Sequence, residues 1–221
     1  IFSSNGRGHG VHSPFVFDFI IHVLQSKNKE KHLFKGIESL RKKMKRSTES
    51  LAVVDLGAGS VKGSRNIRTV GSIAKNAAKS PKYGQLLYQI ASYYHVESIL
   101  ELGTSLGLTT RYLVLANPKY GVISIEGSPA IAEYTKQAMQ QEKLEGINLI
   151  VGDFAEKLSE ALAMMKGRKM IFFDGNHQYH STVDYFKQSL LFCGDQDVMI
   201  FDDIHWSEGM EKAWKEIKNF K

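Results

Sequence analysis

Two different rhythms of apolar and polar residues divide this chain near residue 95. Upstream, apolar positions recur at helical spacing. "HSPFVFDFIIHVLQ" places Ser13 as an N-cap and Pro14 at the first helical position. Leu33, Phe34, Ile37, Leu40 and Met44 predict an amphipathic helix over about Lys29 to Met44, and "SPKYGQLLYQIASYYHV" predicts another. Residues 1–94 therefore read as a helical and irregular segment that caps the C-terminal half. Downstream, from 95 to 221, short continuous apolar runs alternate with helical stretches. The runs are "SILEL", "GVISIEG", "INLIVGDF", "KMIFFDG" and "DVMIFDD". The helices between them are read as Leu106 to Ala116, Pro129 to Gln141, Phe154 to Met165 and His180 to Leu191. Such alternation predicts an α/β fold of the Rossmann-like, doubly wound type: a mainly parallel sheet with helices on both faces.

Each of the five runs ends in acid: Glu101, Glu126, Asp153, Asp174, and the pair Asp202 and Asp203. Ligands on such sheets bind at the carboxyl ends of the strands. Like charges gathered there repel, so a cationic or hydroxyl-rich ligand, or a metal, is expected to meet them.

Two glycine-rich stretches compete for the role of nucleotide-type cofactor site: "LAVVDLGAGSVKGS", Leu51 to Ser64, and "SILELGTSLGLTTRYL", Ser98 to Leu113. Such a site needs glycines, then a helix N-terminus, then an acid ending the next strand to grip ribose hydroxyls. The later stretch meets all three conditions. Gly103 and Gly107 flank the turn, Thr104 or Ser105 is placed to cap the helix, and Glu126 ends the next strand before Gly127. The earlier stretch is followed by basic, polar "RNIRTVGSIAKNAAK". It reads as a structural turn, a cover over the site, or an anion contact through Arg65 and Arg68. Its G-x-G keeps a nicotinamide enzyme as an alternative, whereas the later stretch lacks the middle glycine that a pyrophosphate needs.

Bulk properties narrow the classes. Hydrophobic residues make up 43% of the 221 positions, ordinary for a globular domain. The single cysteine, Cys193, excludes an internal disulfide framework and a cysteine zinc cluster, and points to a reducing, cytoplasmic compartment. No apolar run is long enough for a bilayer, so no membrane partner is expected. The net charge of +6 permits nucleic acid, but "RKKMKR", Arg41 to Arg46, reads as the solvated face of a helix.

Taken in order, "ILELGTSLGLTT", "ISIEGSPAIAEYTKQA", "GDFAEKL", "MIFFDGNHQYH" and "VMIFDDIHWSEGMEKAW" resemble the class I S-adenosylmethionine-dependent methyltransferases. Within that class they resemble the catechol O-methyltransferase-like branch and its bacterial small-molecule relatives. The resemblance implies that S-adenosylmethionine lies against Glu101, Gly103, Thr104, Ser105 and Gly107. Glu101 would face the cofactor's ammonium, Glu126 its ribose hydroxyls with Gly127 alongside, and Asp153, Phe154 and Asp174 would stand near the rest of it. It further implies a divalent cation, Mg2+ by preference, on Asp174, Asp202 and Asp203, with Asp203 standing where the family has an asparagine. Should Asp203 cap the next helix instead, His205 or His177 would ligate. His177 matches the position of the branch's proton-accepting lysine and is the candidate general base beside Asp174, with His180 and His205 behind it. Trp206 and Tyr179 are candidates for a pocket wall, and His9 and His12 for contacts from the N-terminal segment.

The implied reaction is O-methylation of a small hydroxylated molecule, with a homodimer allowed. Ribose methylation of nucleic acid and a non-catalytic cofactor-binding module are the alternatives. "DGNH" stands where amino-methylating enzymes carry N/D-P-P-Y/F, which counts against base methylation. The last two of the class's usual seven strands are not visible before Lys221, leaving a truncated sequence or a sheet completed by a partner as the expectation.

Overall fold

Ser13 behaves as its place before Pro14 predicts. Its hydroxyl accepts from the Val16 amide at 3.4 Å and opens α1 (Pro14–Asp18), which continues as a wider turn to Leu24. The computed structural model describes residues 13–25, 30–54, 65–116 and 118–220. A short 3-10 turn leads into α2 (Lys35–Lys45), whose buried residues are Ile37, Arg41 and Met44. Here the reading of "RKKMKR" is corrected. Lys42, Lys43, Lys45 and Arg46 are exposed, but Arg41 points inward, where its guanidinium bonds Glu38 and the Lys79 carbonyl.

The N-terminal segment also contains strands that its helical rhythm conceals. β1 (Ser50–Val54) pairs antiparallel with β2 (Arg65–Thr69), apart from the main sheet. A dinucleotide fingerprint needs a parallel strand–turn–helix unit. The strand before "GAGSVKG" is in an antiparallel hairpin, so the nicotinamide alternative loses its context. The glycine-rich stretch itself, residues 55–64, lies outside the described residues, as do His9 and His12. Next come α3 (Val70–Asn76), capped by the Thr69 hydroxyl, and α4 (Pro81–Tyr93), which starts on Pro81.

The second half alternates as predicted: β3 (Ser98–Leu102), α5 (Leu108–Leu115), β4 (Val122–Glu126), α6 (Pro129–Gln141), β5 (Ile147–Val151), α7 (Phe154–Met164), β6 (Lys169–Phe173), α8 (Tyr179–Leu190), β7 (Val198–Phe201) and α9 (Glu208–Lys218). The five strands are all parallel, in the order β5-β4-β3-β6-β7. Among the described residues the main sheet has these five strands. Strand residues alternate between two cores. Leu100, Leu102, Ile123, Ile125, Ile171 and Phe173 pack with Phe154 and Leu158, while Ile99, Val122, Met170 and Phe172 pack with Leu87, Ile90 and Leu113. Both faces being covered explains why the strands read as continuous apolar runs. A third core joins Phe34, Ile37 and Met44 to Tyr112, Leu108 and Ile131, tying the N-terminal segment to the sheet's helices.

The chain starts at the sheet's centre with β3, winds to β5, then returns to β6. This makes β3 and β6 the point where the winding reverses, and ligands bind in the crevice there. Their tips nearly touch. Gly103 has φ +109°, and a Cβ on it would lie 2.2 Å from the Asp174 carbonyl oxygen. The loop from Gly103 to Gly107 is held from behind by Arg111. Its guanidinium donates to the Gly107 carbonyl at 2.8 Å and pairs twice with Glu142, at 2.7 and 2.9 Å. Gly103→Ala is therefore expected to cost about 3 kcal/mol through strain and collision. Arg111→Ala is expected to cost about 2 kcal/mol by leaving the buried Leu106 and Gly107 carbonyls without their donor, while the exposed Glu142 returns to water. Urea denaturation of the two variants against the parent checks both.

Candidate functional site

A cleft of about 350 Å3 opens at the carboxyl edge of the sheet. One part of its wall comes from β3 through α6: Gly103, Ser105, Glu126, Gly127 and Ser128. Another comes from Asp153 and Phe154 after β5. Asp174, Gly175, Asn176 and His177 come after β6, and Asp203 and Trp206 after β7. The N-terminal segment closes the remainder with Val53, Val54, Arg68, Ile73 and Lys79, among others. Of the cofactor residues read from the sequence, Gly103, Ser105, Glu126, Gly127, Asp153, Phe154 and Asp174 thus stand together on one cavity.

Glu126 is almost fully buried, yet its carboxylate is anchored. Oε2 accepts from the Ser105 amide and Oε1 from the Ser128 amide, each at 2.8 Å. Burial pushes its pKa up, and these amides oppose the shift. A carboxylate oxygen has a second lone pair, so Glu126 retains acceptor capacity toward the cleft. Asp153 caps α7 by accepting from the Ala155 amide at 2.9 Å, and it also lines the cavity.

Three positions sit behind the wall rather than on it. Thr104 is buried against the Ser124 hydroxyl at 2.6 Å, and neither it nor Ser105 caps α5. The N-cap is Gly107, at φ +68°. The methyl ends of Met139 and Thr135 approach Gly107 so closely that a Cβ would collide with them. Glu101 is fully buried beneath the floor. Its Oε2 accepts from Thr110 and Ser124, both at 2.6 Å, and its Oε1 has no partner among the described residues. Burial pushes this carboxyl up to about 7. An orphaned buried acceptor beneath the Gly103 turn fits a cationic group bound above it.

The acid cluster holds the main surprise. Asp174, Asp202 and Asp203 converge as the sequence implies, but they converge on a lysine. Lys79 Nζ is 3.0 Å from Asp174 Oδ1 and 3.6 Å from Asp203 Oδ2, and it is ion-paired with Asp202 Oδ2. Burial works to lower the Lys79 pKa. Asp174 and Asp202 outweigh it and hold the ammonium charged well above its ordinary range. Burial likewise pushes Asp174 up, with Lys79 opposing. Asp174, His177 and Asp203 bring ligand atoms within 4.8 Å of one another, the chemistry of a hard-ion site. Two of those three residues are already partners of Lys79, so the arrangement does not fit a divalent ion beside the ammonium. Nothing in the sequence marks Lys79. It is one of 29 basic residues, in "AAKSPKYG", far from every motif.

His177 lines the cleft with Nε2 3.4 Å from Asp203 Oδ2. Burial lowers its pKa, Asp203 raises it and Lys79 lowers it again, with the net shift downward. Asp203 does not cap α9, since Ser207 does, accepting from Met210 at 3.2 Å. The remaining candidates are dispersed. His205 is exposed beside Glu211, His180 is exposed against Tyr179, and the Tyr179 hydroxyl bonds Glu216 on α9 at 2.5 Å. Trp206 reaches the cleft mouth while largely exposed, and Arg68 lines the opposite side.

The fold has known counterparts. Residues 100–204 match the family model described as "Methyltransferase domain". No curated protein sequence matches the chain. Among solved structures, a Staphylococcus aureus protein described provisionally as a caffeoyl-CoA O-methyltransferase superposes with a TM-score of 0.59 at 17% identity, over 86% of this chain and 81% of that one. The O-methyltransferase TomG of Streptomyces achromogenes, involved in tomaymycin synthesis and solved with S-adenosylmethionine, gives 0.53 at 22% identity over 63% and 68%. A Bacillus cereus O-methyltransferase solved with S-adenosylhomocysteine gives 0.54 at 20% identity over 63% and 70%. The strand order and the reversal point agree with these counterparts in fold, and the stretch from Leu100 to Ile204, just under half of the chain, is the part that matches a methyltransferase domain.

Proposed function

We propose that the chain is a cytoplasmic S-adenosylmethionine-dependent O-methyltransferase acting on a small hydroxylated molecule. The observation that carries this reading is the division of one cleft into two chemically different ends. One end has the anchored Glu126 carboxylate, the Gly103 turn, Asp153 and the Phe154 ring, with the orphaned Glu101 oxygen buried behind that wall. These suit ribose hydroxyls, an ammonium and an aromatic base. The other end has Asp174, His177, Asp203 and Lys79, which suit a hydroxyl about to lose its proton.

The bound cofactor supplies an electrophilic methyl on a sulfonium, displaced in line by the acceptor oxygen. The chain's own residues do the rest. Gly103 lets the β3 and β6 tips close on each other, so that both ends share one cavity. Glu126 fixes orientation, since its amide partners leave each oxygen only one direction free. His177 is held as the neutral imidazole by burial, and a neutral imidazole has a bare ring nitrogen able to accept the hydroxyl proton. Asp203, at 3.4 Å, steadies the imidazolium that results. Trp206 and the β1–β2 hairpin flank the mouth, where they limit water.

Calorimetric titration with S-adenosylhomocysteine tests the cofactor end. A Kd near about 1 μM, roughly −8 kcal/mol, is expected. Glu126→Ala is expected to weaken it by about a hundredfold or more, the loss of two charge-assisted hydrogen bonds. Absence of binding by the folded parent sinks the reading. At the other end, His177→Ala is expected to lower kcat about 100-fold or more with the S-adenosylhomocysteine Kd unchanged, once an acceptor is in hand. Glu101 offers a handle without any substrate. Its folded pKa of about 7 lies above the ordinary carboxyl value, so its stabilising contribution is complete below about pH 4 and fades as pH rises through 7. The urea midpoint of the free chain should fall between pH 5 and pH 8 on this account, and Glu101→Gln should flatten the fall.

A further inference from the structure

The acid cluster at the tips of β6 and β7 carries its own cation. An ammonium has three N–H donors, and three carboxylates meet this one: Asp174, Asp202 and Asp203. A divalent ion at this edge would need the same oxygens. The ion and the ammonium are therefore alternatives, and the chain has built one of them in.

The position of Lys79 is constructed from both sides. Its carbonyl oxygen accepts from Arg41 Nη1 at 2.6 Å, and Arg41 is itself buried and gripped by Glu38 on the same helix. Immediately after Lys79, Ser80 and Pro81 begin α4, which packs along α5. The root of the side chain is thus fixed to the helical segment and its tip to the strand ends. With 18% of its side chain exposed, it is not a surface lysine folded back by chance.

We propose that Lys79 is the resident cation of the acceptor site, taking the place of a divalent metal and facing the oxygen that accepts the methyl group. This rests on the O-methyltransferase reading for its purpose, though not for its geometry. Lys79, Asp203 and His177 all line the open cleft. The contact to Asp203, at 3.6 Å, is the loosest of the three, so its N–H is the one an acceptor oxygen takes. As the hydroxyl proton passes to His177, the ammonium offsets the charge growing on oxygen. The oxygen–methyl bond forms while the sulfur–methyl bond breaks, and that electron pair stays on sulfur. Lys79 keeps its proton throughout, and the balance needs no metal.

The test is a Mn2+ titration of the full chain followed by electron paramagnetic resonance, with S-adenosylhomocysteine binding measured alongside in chelator. The parent and Lys79→Arg are expected to leave the free Mn2+ signal undiminished, and chelator is expected to leave cofactor binding unchanged. Lys79→Met, which strips the carboxylates of their cation, is expected to bind Mn2+ at least about tenfold more tightly than the parent. Micromolar Mn2+ uptake by the parent, lost in Asp174→Asn, overturns the proposal. So does a folded Lys79→Met chain with no gain in Mn2+ affinity. If Lys79→Met does not fold, the parent and Lys79→Arg titrations decide alone. The expected Mn2+ pattern without any S-adenosylhomocysteine binding would remove the methyltransferase reading and leave Lys79 as the cluster's cation.

Discussion

Parallel pairing puts the ends of five acid-tipped strands along one edge, and that concentration of charge is the constraint the rest of the structure answers. At separations of a few ångströms in a partly buried setting, like charges cost several kcal/mol if left uncompensated. Each acid is answered differently. Glu101 is sunk among hydroxyls and drawn toward its protonated form. Glu126 is pinned by two backbone amides. Asp153 becomes a helix cap. Asp174, Asp202 and Asp203 gather around a lysine. The different solutions are what give the two ends of the cleft their different chemistry.

The lysine connects the two halves of the chain. A segment that looks like an appended helical cap supplies the cation for the strand tips, and a buried arginine from its basic run secures that lysine's backbone. The same segment contributes Tyr112's neighbours. Phe34 packs on the Tyr112 ring, and Glu38 accepts from its hydroxyl at 2.5 Å. Cap and sheet are thus joined by an apolar core and by one continuous polar chain, Tyr112–Glu38–Arg41–Lys79–Asp174. A perturbation in α2 therefore has a physical route to the cleft, through the root of Lys79.

The crossing at Gly103 is the second organising feature. Because the tips of β3 and β6 approach within what a single methyl group would block, the cofactor end and the acceptor end share one cavity of modest size. Arg111, buried behind the loop, keeps the turn in place by bonding its carbonyls and reaching to Glu142 at the end of α6.

By itself the sequence determined the parallel sheet, its helices, and the edge where chemistry collects. Continuous apolar runs with acids after them carry that information locally, and Pro129 to Gln141 is legible to the residue because proline and the apolar period mark it. It also pointed to the later glycine stretch, the one followed by an acid-ended strand, and Gly103 and Ser105 of that stretch line the cleft. What it did not determine was anything made by distant residues meeting. The β1–β2 hairpin is hidden because only β1, "SLAVV", is an apolar run, while its partner β2, "RNIRT", is polar and exposed at Asn66, Ile67 and Arg68 and carries no strand period. Thr104 and Gly107 look like ligand contacts in the sequence, but packing turns one into the Ser124 hydroxyl and the other against Met139. Most of all, the tertiary structure decided what neutralises the acids. A metal-binding set and a lysine-filled one have the same three aspartates in sequence. Only the fold, by carrying residue 79 across to residues 174, 202 and 203, separates them.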